Sequence, residues 1–175
     1  MTDTQIQILK TAMDWARAEM FSSMFFALFG VVFLFASASF WYLGKTETAK
    51  AFIIPLLVTG ILLLILGVGL VIANQWRIST FPAAFAADAK AFLASEMARA
   101  DKTVSGYQKA VQIYLPAIIA ICALALLVVK TPNWQASMVA IIAMMAVIML
   151  VDTNASTRMD DYQDKLAEFA TSKQA

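Results

Sequence analysis

Met20–Leu43 reads MFSSMFFALFGVVFLFASASFWYL, a run of 24 residues without a single Asp, Glu, Lys or Arg. The hydrocarbon core of a bilayer is about 30 Å thick and takes about 20 apolar residues of helix to cross, so this run is long enough to span on its own. Three further runs have the same character: Ala51–Ala73, Val111–Val129 and Trp134–Val151. With 61% hydrophobic residues in a chain of 175, the sequence reads as an all-α integral membrane protein with four transmembrane helices. Helices suit that setting because each backbone donor finds its acceptor within its own segment.

The polar remainder sets the expected orientation. Lys10 and Arg17, then Arg77, Lys90, Arg99, Lys102 and Lys109, then Arg158, Lys165 and Lys173 fall on one side, against Lys45, Lys50 and Lys130 on the other. Ten cations against three place both termini in the cytoplasm by the positive-inside rule, in a bacterial inner membrane. The opposite side keeps only two tight turns, Gly44–Lys50 and Lys130–Asn133, with Asn133 expected to cap the last helix. Trp41, Tyr42 and Trp134 mark that boundary as an aromatic belt. The expected topology is two helical hairpins opening toward the cytoplasm. The polar, mixed-charge N-terminus and long first span do not read as a cleaved signal.

Apolar periodicity continues beyond the spans. Ile6, Leu9, Met13, Ala16 and Met20 recur every three or four residues. So do Phe85, Ala89, Leu93, Met97, Ala100, Val104, Tyr107 and Val111, and then Met159, Tyr162, Leu166 and Phe169. Each row is the narrow stripe of an amphipathic helix in register with the adjoining span. The chain is therefore expected to form one four-span domain over 1–175. Its parts are an amphipathic helix over 4–19, spans over 20–43 and 51–73, a helix over 82–108, spans over 109–129 and 134–153, and a terminal helix over 154–170. Ser79 or Thr80 as cap and Pro82 in the first turn suggest the start of the middle helix. Gly106 is its expected weak point, and Pro116 a source of kinking. The cytoplasmic side carries ten cations and eleven acids, too few cations for helices lying on anionic lipid. The stripes are thus expected to pack together as a small coiled-coil-like bundle.

Candidate interface residues follow from size and charge. Gly60, Gly67 and Gly69 in the second span, and Ala136 and Ala140 in the fourth, allow close helix approach. Packing within the chain is the first expectation for them, and a docking face for another membrane protein the second. Glu19, Arg77, Lys109 and Asp152 share the cytoplasmic boundary, where Lys109 could pair with Asp152 and Arg77 with Glu19. The phenylalanines of the first span, Phe21 to Phe40, cover more than one face, so several must meet lipid.

Composition narrows the chemistry. Without histidine, and with Cys122 as the single cysteine, Ser–His and Cys–His nucleophiles are excluded and zinc or haem ligation is disfavoured. A net charge of +1 gives no field for nucleic acid. No cofactor or metal is expected, and no ionisable group marks a relay inside a span. The expected function is therefore non-enzymatic: helix–helix association with another membrane component. An immunity protein against a membrane-inserting toxin and an accessory subunit are two versions of it, with membrane lipid and a membrane protein, a toxin or a second copy as partners. A small oligomeric channel or carrier, lined by Asn74, Thr59, Ser37, Ser39 and Ser137, is the first alternative. A cytoplasmic-face enzyme built on Asp160, Asp161 and Asp164 is the second.

Overall fold

The computed structural model describes residues 3–171. Within them the chain is almost wholly helical, with α1 at Asp3–Leu43, α2 at Glu47–Ala51 and α3 at Ile53–Ala87. Then come α4 at Ala89–Lys109, a π-helical turn at Ala110–Tyr114, α5 at Leu115–Val128 and α6 at Pro132–Thr171. Four helical stretches, residues 5–43, 47–87, 89–128 and 132–171, are each long and apolar enough to cross a membrane. At 1.5 Å per residue a helix of about 40 residues reaches about 60 Å, twice the hydrocarbon thickness. That length is continuous: α1 runs from the polar N-terminal stretch into the apolar run without interruption, because no Gly–Pro pair or local cap divides them.

The breaks follow local chemistry. Thr46 caps α2, its hydroxyl accepting from Ala49 N at 3.2 Å. The helix expected from Pro82 starts instead at Ala89. Asp88 is the cap, its Oδ1 accepting from Lys90 N at 2.8 Å and Ala91 N at 2.9 Å, while Pro82 lies inside α3. The hydroxyls of Ser79 and Thr80 donate back to Trp76 O and so support the helix that they were expected to open. Asn133 is likewise not a cap; Pro132 occupies the first turn of α6, and Gln135 N donates to Thr131 O at 3.1 Å. Gly106 sits in undisturbed helix. The irregularity comes at Ala110–Tyr114 instead, just before Pro116. Proline lacks the N–H that would bond to Gln112 O and its ring crowds that carbonyl, so the preceding turn widens, with Leu115 N donating to Ala110 O.

Two cores hold the helices together. One gathers α1, α3, α4 and α6 around Ile8, Ala12, Trp15, Phe85, Phe92, Met159, Tyr162 and Leu166. The other lies within the apolar runs, where Phe26, Leu63, Val147 and Val151 join α1, α3 and α6. In α6 Met159, Tyr162 and Leu166 of the apolar stripe are buried and Phe169 is half-buried, and in α4 the stripe is buried or half-buried throughout. In α1 the inward face is different from the expected row. Of that row Ile6 is half exposed, Leu9, Met13 and Met20 are half-buried and Ala16 is buried, and Ile8, Ala12, Trp15 and Glu19 are buried beside it. Of the first-run phenylalanines, Phe26 is buried, whereas Phe21, Phe25 and Phe35 are exposed.

α1 and α3 cross at close range. A Cβ on Gly30 would lie 2.9 Å from Gly60 O, and one on Gly60 would lie 3.0 Å from Gly30 O. At Gly67 the conflict is greater, with Ala27 N at 2.5 Å. Ser37 Oγ ties the same pair of helices by donating to Ile53 O at 2.7 Å. By contrast, α5 packs chiefly on α6 and the π turn, with Leu115 buried and Ile119, Cys122, Ala125 and Leu126 half-buried.

Candidate functional site

Two buried carboxylates organise the polar end of the structure. Charges taken out of water need a partner and further hydrogen bonds to be tolerated, and both carboxylates receive the same pair of groups. Glu19 on α1 accepts from the hydroxyl of Tyr107 on α4 at 3.0 Å and from Arg158 on α6 at 3.1 Å. Glu96 on α4 accepts from the hydroxyl of Tyr162 on α6 at 2.8 Å and from Nε of Arg99 at 3.0 Å. Two Glu–Tyr–Arg units therefore link α1, α4 and α6.

Trp15 on α1 packs against the Glu96 unit. Its ring stacks on Tyr162 with centroids 5.2 Å apart, and the Arg99 guanidinium lies 4.2 Å from its centre, within cation–π range. Arg77 reaches the same ring from α3 at 5.9 Å while donating to Asn74 Oδ1 at 2.7 Å. Burial pushes the Tyr162 hydroxyl well above the ordinary tyrosine range, and the Glu96 charge adds to that. Tyr107 is raised in the same way by burial and by Glu19. Burial and the nearby Arg99 charge lower Arg77. For Arg99 burial also works against the charge, but the Glu96 carboxylate outweighs it and holds the guanidinium above its usual value. Both tyrosines therefore stay protonated and act as donors. Among the described residues, three buried nitrogens are left without a protein acceptor: Trp15 Nε1, Asn74 Nδ2 and Arg158 Nε.

The expected boundary pairs are rearranged. Glu19 binds Arg158 rather than Arg77, and Arg77 turns to Asn74 one helical turn away on α3. Lys109 is exposed and Asp152 half-buried, and no ion pair joins them. Gly60 and Gly67 are buried against α1, and Ala136 and Ala140 are buried within the chain, so none of the four presents a free face. Gly69 has open space around it. The hydroxyls considered as a channel lining bond to backbone carbonyls: Ser37 to Ile53, Ser39 to Phe35, Thr59 to Pro55 and Ser137 to Asn133. Asp161 and Asp164 are exposed on α6, and among the described residues no three His, Cys, Asp or Glu side chains converge as a metal site would require.

Sequence reading missed Trp15, Glu96, Arg99 and Arg158 as members of one site. Part of the signal was present, since Glu96 and Arg99 are spaced to meet on one helix face. Tyr107 and Tyr162 also lie in apolar stripes, where a buried hydroxyl requires a partner.

Two cavities lie along the α1–α6 crossing. One of about 330 Å³ is lined by Ser22, Phe25, Phe29, Leu150 and Val151, with Asn154 and Arg158 at its polar end. The other, of about 250 Å³, lies between Thr11, Asp14, Asp161 and Lys165, again with Arg158 in its wall. No protein-family model, curated protein or solved structure matches the chain.

Proposed function

We propose that this chain is a bacterial inner-membrane protein with four spans in two hairpins, both termini in the cytoplasm and the Trp15 network inside a cytoplasmic helical bundle. It acts without catalysis, by associating through a span with another membrane protein. An immunity protein that occludes a membrane-inserting toxin and an accessory subunit of a larger complex both fit this description.

The observation that carries the reading is that α5 packs along one side, on α6, and leaves the rest of its surface exposed. Within α5 only Leu115 is buried. Ile118, Ile121, Leu124 and Leu127 form an exposed apolar row along it. Helices in lipid gain little from hiding apolar surface and associate through shape and packing, so a weakly packed span is the one available to a second protein. Gly60, Gly67, Ala136 and Ala140 already serve contacts within the chain. The channel alternative is weakened because its hydroxyls are bonded to backbone carbonyls.

Cross-linking in native membranes tests this. With Cys122→Ala as background, cysteines at Ile121 and Leu124 should give one reproducible heterologous adduct, and cysteines at Val58 and Ile72 on α3 should not. Equal adduct patterns from α3 and α5 would remove α5 as the docking face.

A further inference from the structure

The α1–α6 groove changes character along its length. Its lower cavity is walled by Phe25, Phe29, Leu150 and Val151. Its upper cavity is walled by Thr11, Asp14, Asp161 and Lys165. Arg158 lines both, and so stands where an apolar slot meets a polar one. One Arg158 nitrogen is bound to Glu19 at 3.1 Å, but Nε is buried and has no acceptor in the protein. A buried guanidinium nitrogen without a partner is costly, and an anionic oxygen is the group that best satisfies it.

The charges above Arg158 alternate in sign. Arg158, Asp161 and Lys165 are spaced three and four residues apart, on one face of α6. Asp161 and Lys165 are exposed, and neither takes part in an ion pair. A ligand matching the whole groove would have a hydrocarbon chain, then a phosphate, then a cation. We infer that the groove holds a phospholipid whose headgroup ends in a primary ammonium. The acyl chain lies along Phe25, Phe29 and Leu150, the phosphate meets the Arg158 guanidinium, and the ammonium meets Asp161, while Asp14 keeps its ion pair with Arg17 at 3.3 Å. The lower cavity falls within the roughly 300–1,000 Å³ of small-ligand sites. This inference rests on α1 and α6 crossing the bilayer with Ser22 and Asn154 at one interface, but it does not depend on α5 binding a protein.

The test uses the full chain, delipidated in mild detergent and titrated separately with phosphatidylethanolamine, phosphatidylcholine and phosphatidylglycerol. Binding is read by native mass spectrometry and by thermal midpoint. Phosphatidylethanolamine should bind with one-to-one stoichiometry and raise the midpoint most. Leu150→Trp, at an exposed position on the groove wall, should abolish the bound species without lowering the lipid-free midpoint. Asp161→Ala removes both the charge and the acceptor. It should weaken phosphatidylethanolamine at least about tenfold, the loss of one hydrogen bond to a charged group, and weaken phosphatidylcholine, whose cation has no N–H to donate, by less. Equal binding of all three lipids that ignores both variants would mean annular lipid only and would overturn the inference. Stronger binding of phosphatidylglycerol would overturn the assignment of an ammonium headgroup. Failure of the α5 cross-linking experiment would leave both outcomes readable.

Discussion

Replacing Gly67 with alanine should disrupt the α1–α3 crossing, and the structure supplies both the magnitude and the control. The new Cβ would lie 2.5 Å from Ala27 N, 3.0 Å from Ser23 O and 3.1 Å from Ala27 Cα. All three are backbone atoms, so no side chain can rotate away. Restoring an ordinary separation of 3.4 Å from 2.5 Å requires the helices to part by about 0.9 Å. A gap of 0.5–1 Å forfeits a quarter to a half of the dispersion energy of each contact it opens, and overpacking of this kind costs about 1–3 kcal/mol. Because the obstacle is backbone, the upper end of that range is expected. Alanine also gains about 1 kcal/mol over glycine in helix propensity, which would mask part of the loss. Gly69→Ala removes that ambiguity, since nothing lies within 4 Å of its new Cβ and the propensity gain is the same. Equilibrium unfolding in mixed micelles should therefore place Gly67→Ala about 3 kcal/mol below Gly69→Ala. Equal midpoints for the two variants would refute the close approach of α1 and α3.

The polar network and the caps give further expectations. Glu96→Ala leaves Tyr162 and Arg99 without their acceptor in a largely buried position and should destabilise by about 3 kcal/mol; a loss below about 0.5 kcal/mol in chemical denaturation would mean the network is solvated. Asp88→Ala removes the acceptor of two amides and should cost about 1 kcal/mol, with faster hydrogen exchange at Lys90 and Ala91 and unchanged exchange in mid-α6. Tyr162 has its folded pKa raised above the unfolded value of about 10. The native state thus holds this proton more tightly, and the stability it contributes is full below pH 10 and is lost as pH rises through the folded pKa. The slope above pH 10 is about 1.4 kcal/mol per pH unit, and alkaline unfolding of Tyr162→Phe should lose that component; an identical pH profile would show that Tyr162 is not buried beside Glu96.

The sequence carried the helical architecture openly because each apolar run is uninterrupted by charge and long enough to be decisive. It carried the α6 stripe as well, since Met159, Tyr162, Leu166 and Phe169 offer only one apolar face. In α1 two rows compete. The row Ile6, Leu9, Met13, Ala16 is purely apolar, while Ile8, Ala12, Trp15, Glu19 has the same spacing but ends in a carboxylate. Only the distant Tyr107 and Arg158 make that carboxylate acceptable inside. Glu19 and Arg158 are 139 residues apart, a pairing that no local period reveals. Asp88 was overlooked for the opposite reason: Pro82 is the louder local signal, yet Phe81 and Phe85 on either side of it are buried and hold α3 together through the proline. Gly30 was hidden among bulky neighbours, and its role appears only when Gly60 stands opposite.

Cysteine accessibility in intact bacterial cells tests the membrane arrangement most directly. In a Cys122→Ala background, single cysteines would replace Lys102, Lys165, Glu47 and Lys130, all exposed positions. An impermeant maleimide should label the cysteines at 47 and 130 in intact cells, and those at 102 and 165 only after the membrane is opened. Labelling of 102 and 165 on opposite sides, or of all four in intact cells, would contradict a four-span protein whose Trp15 network lies in the cytoplasm.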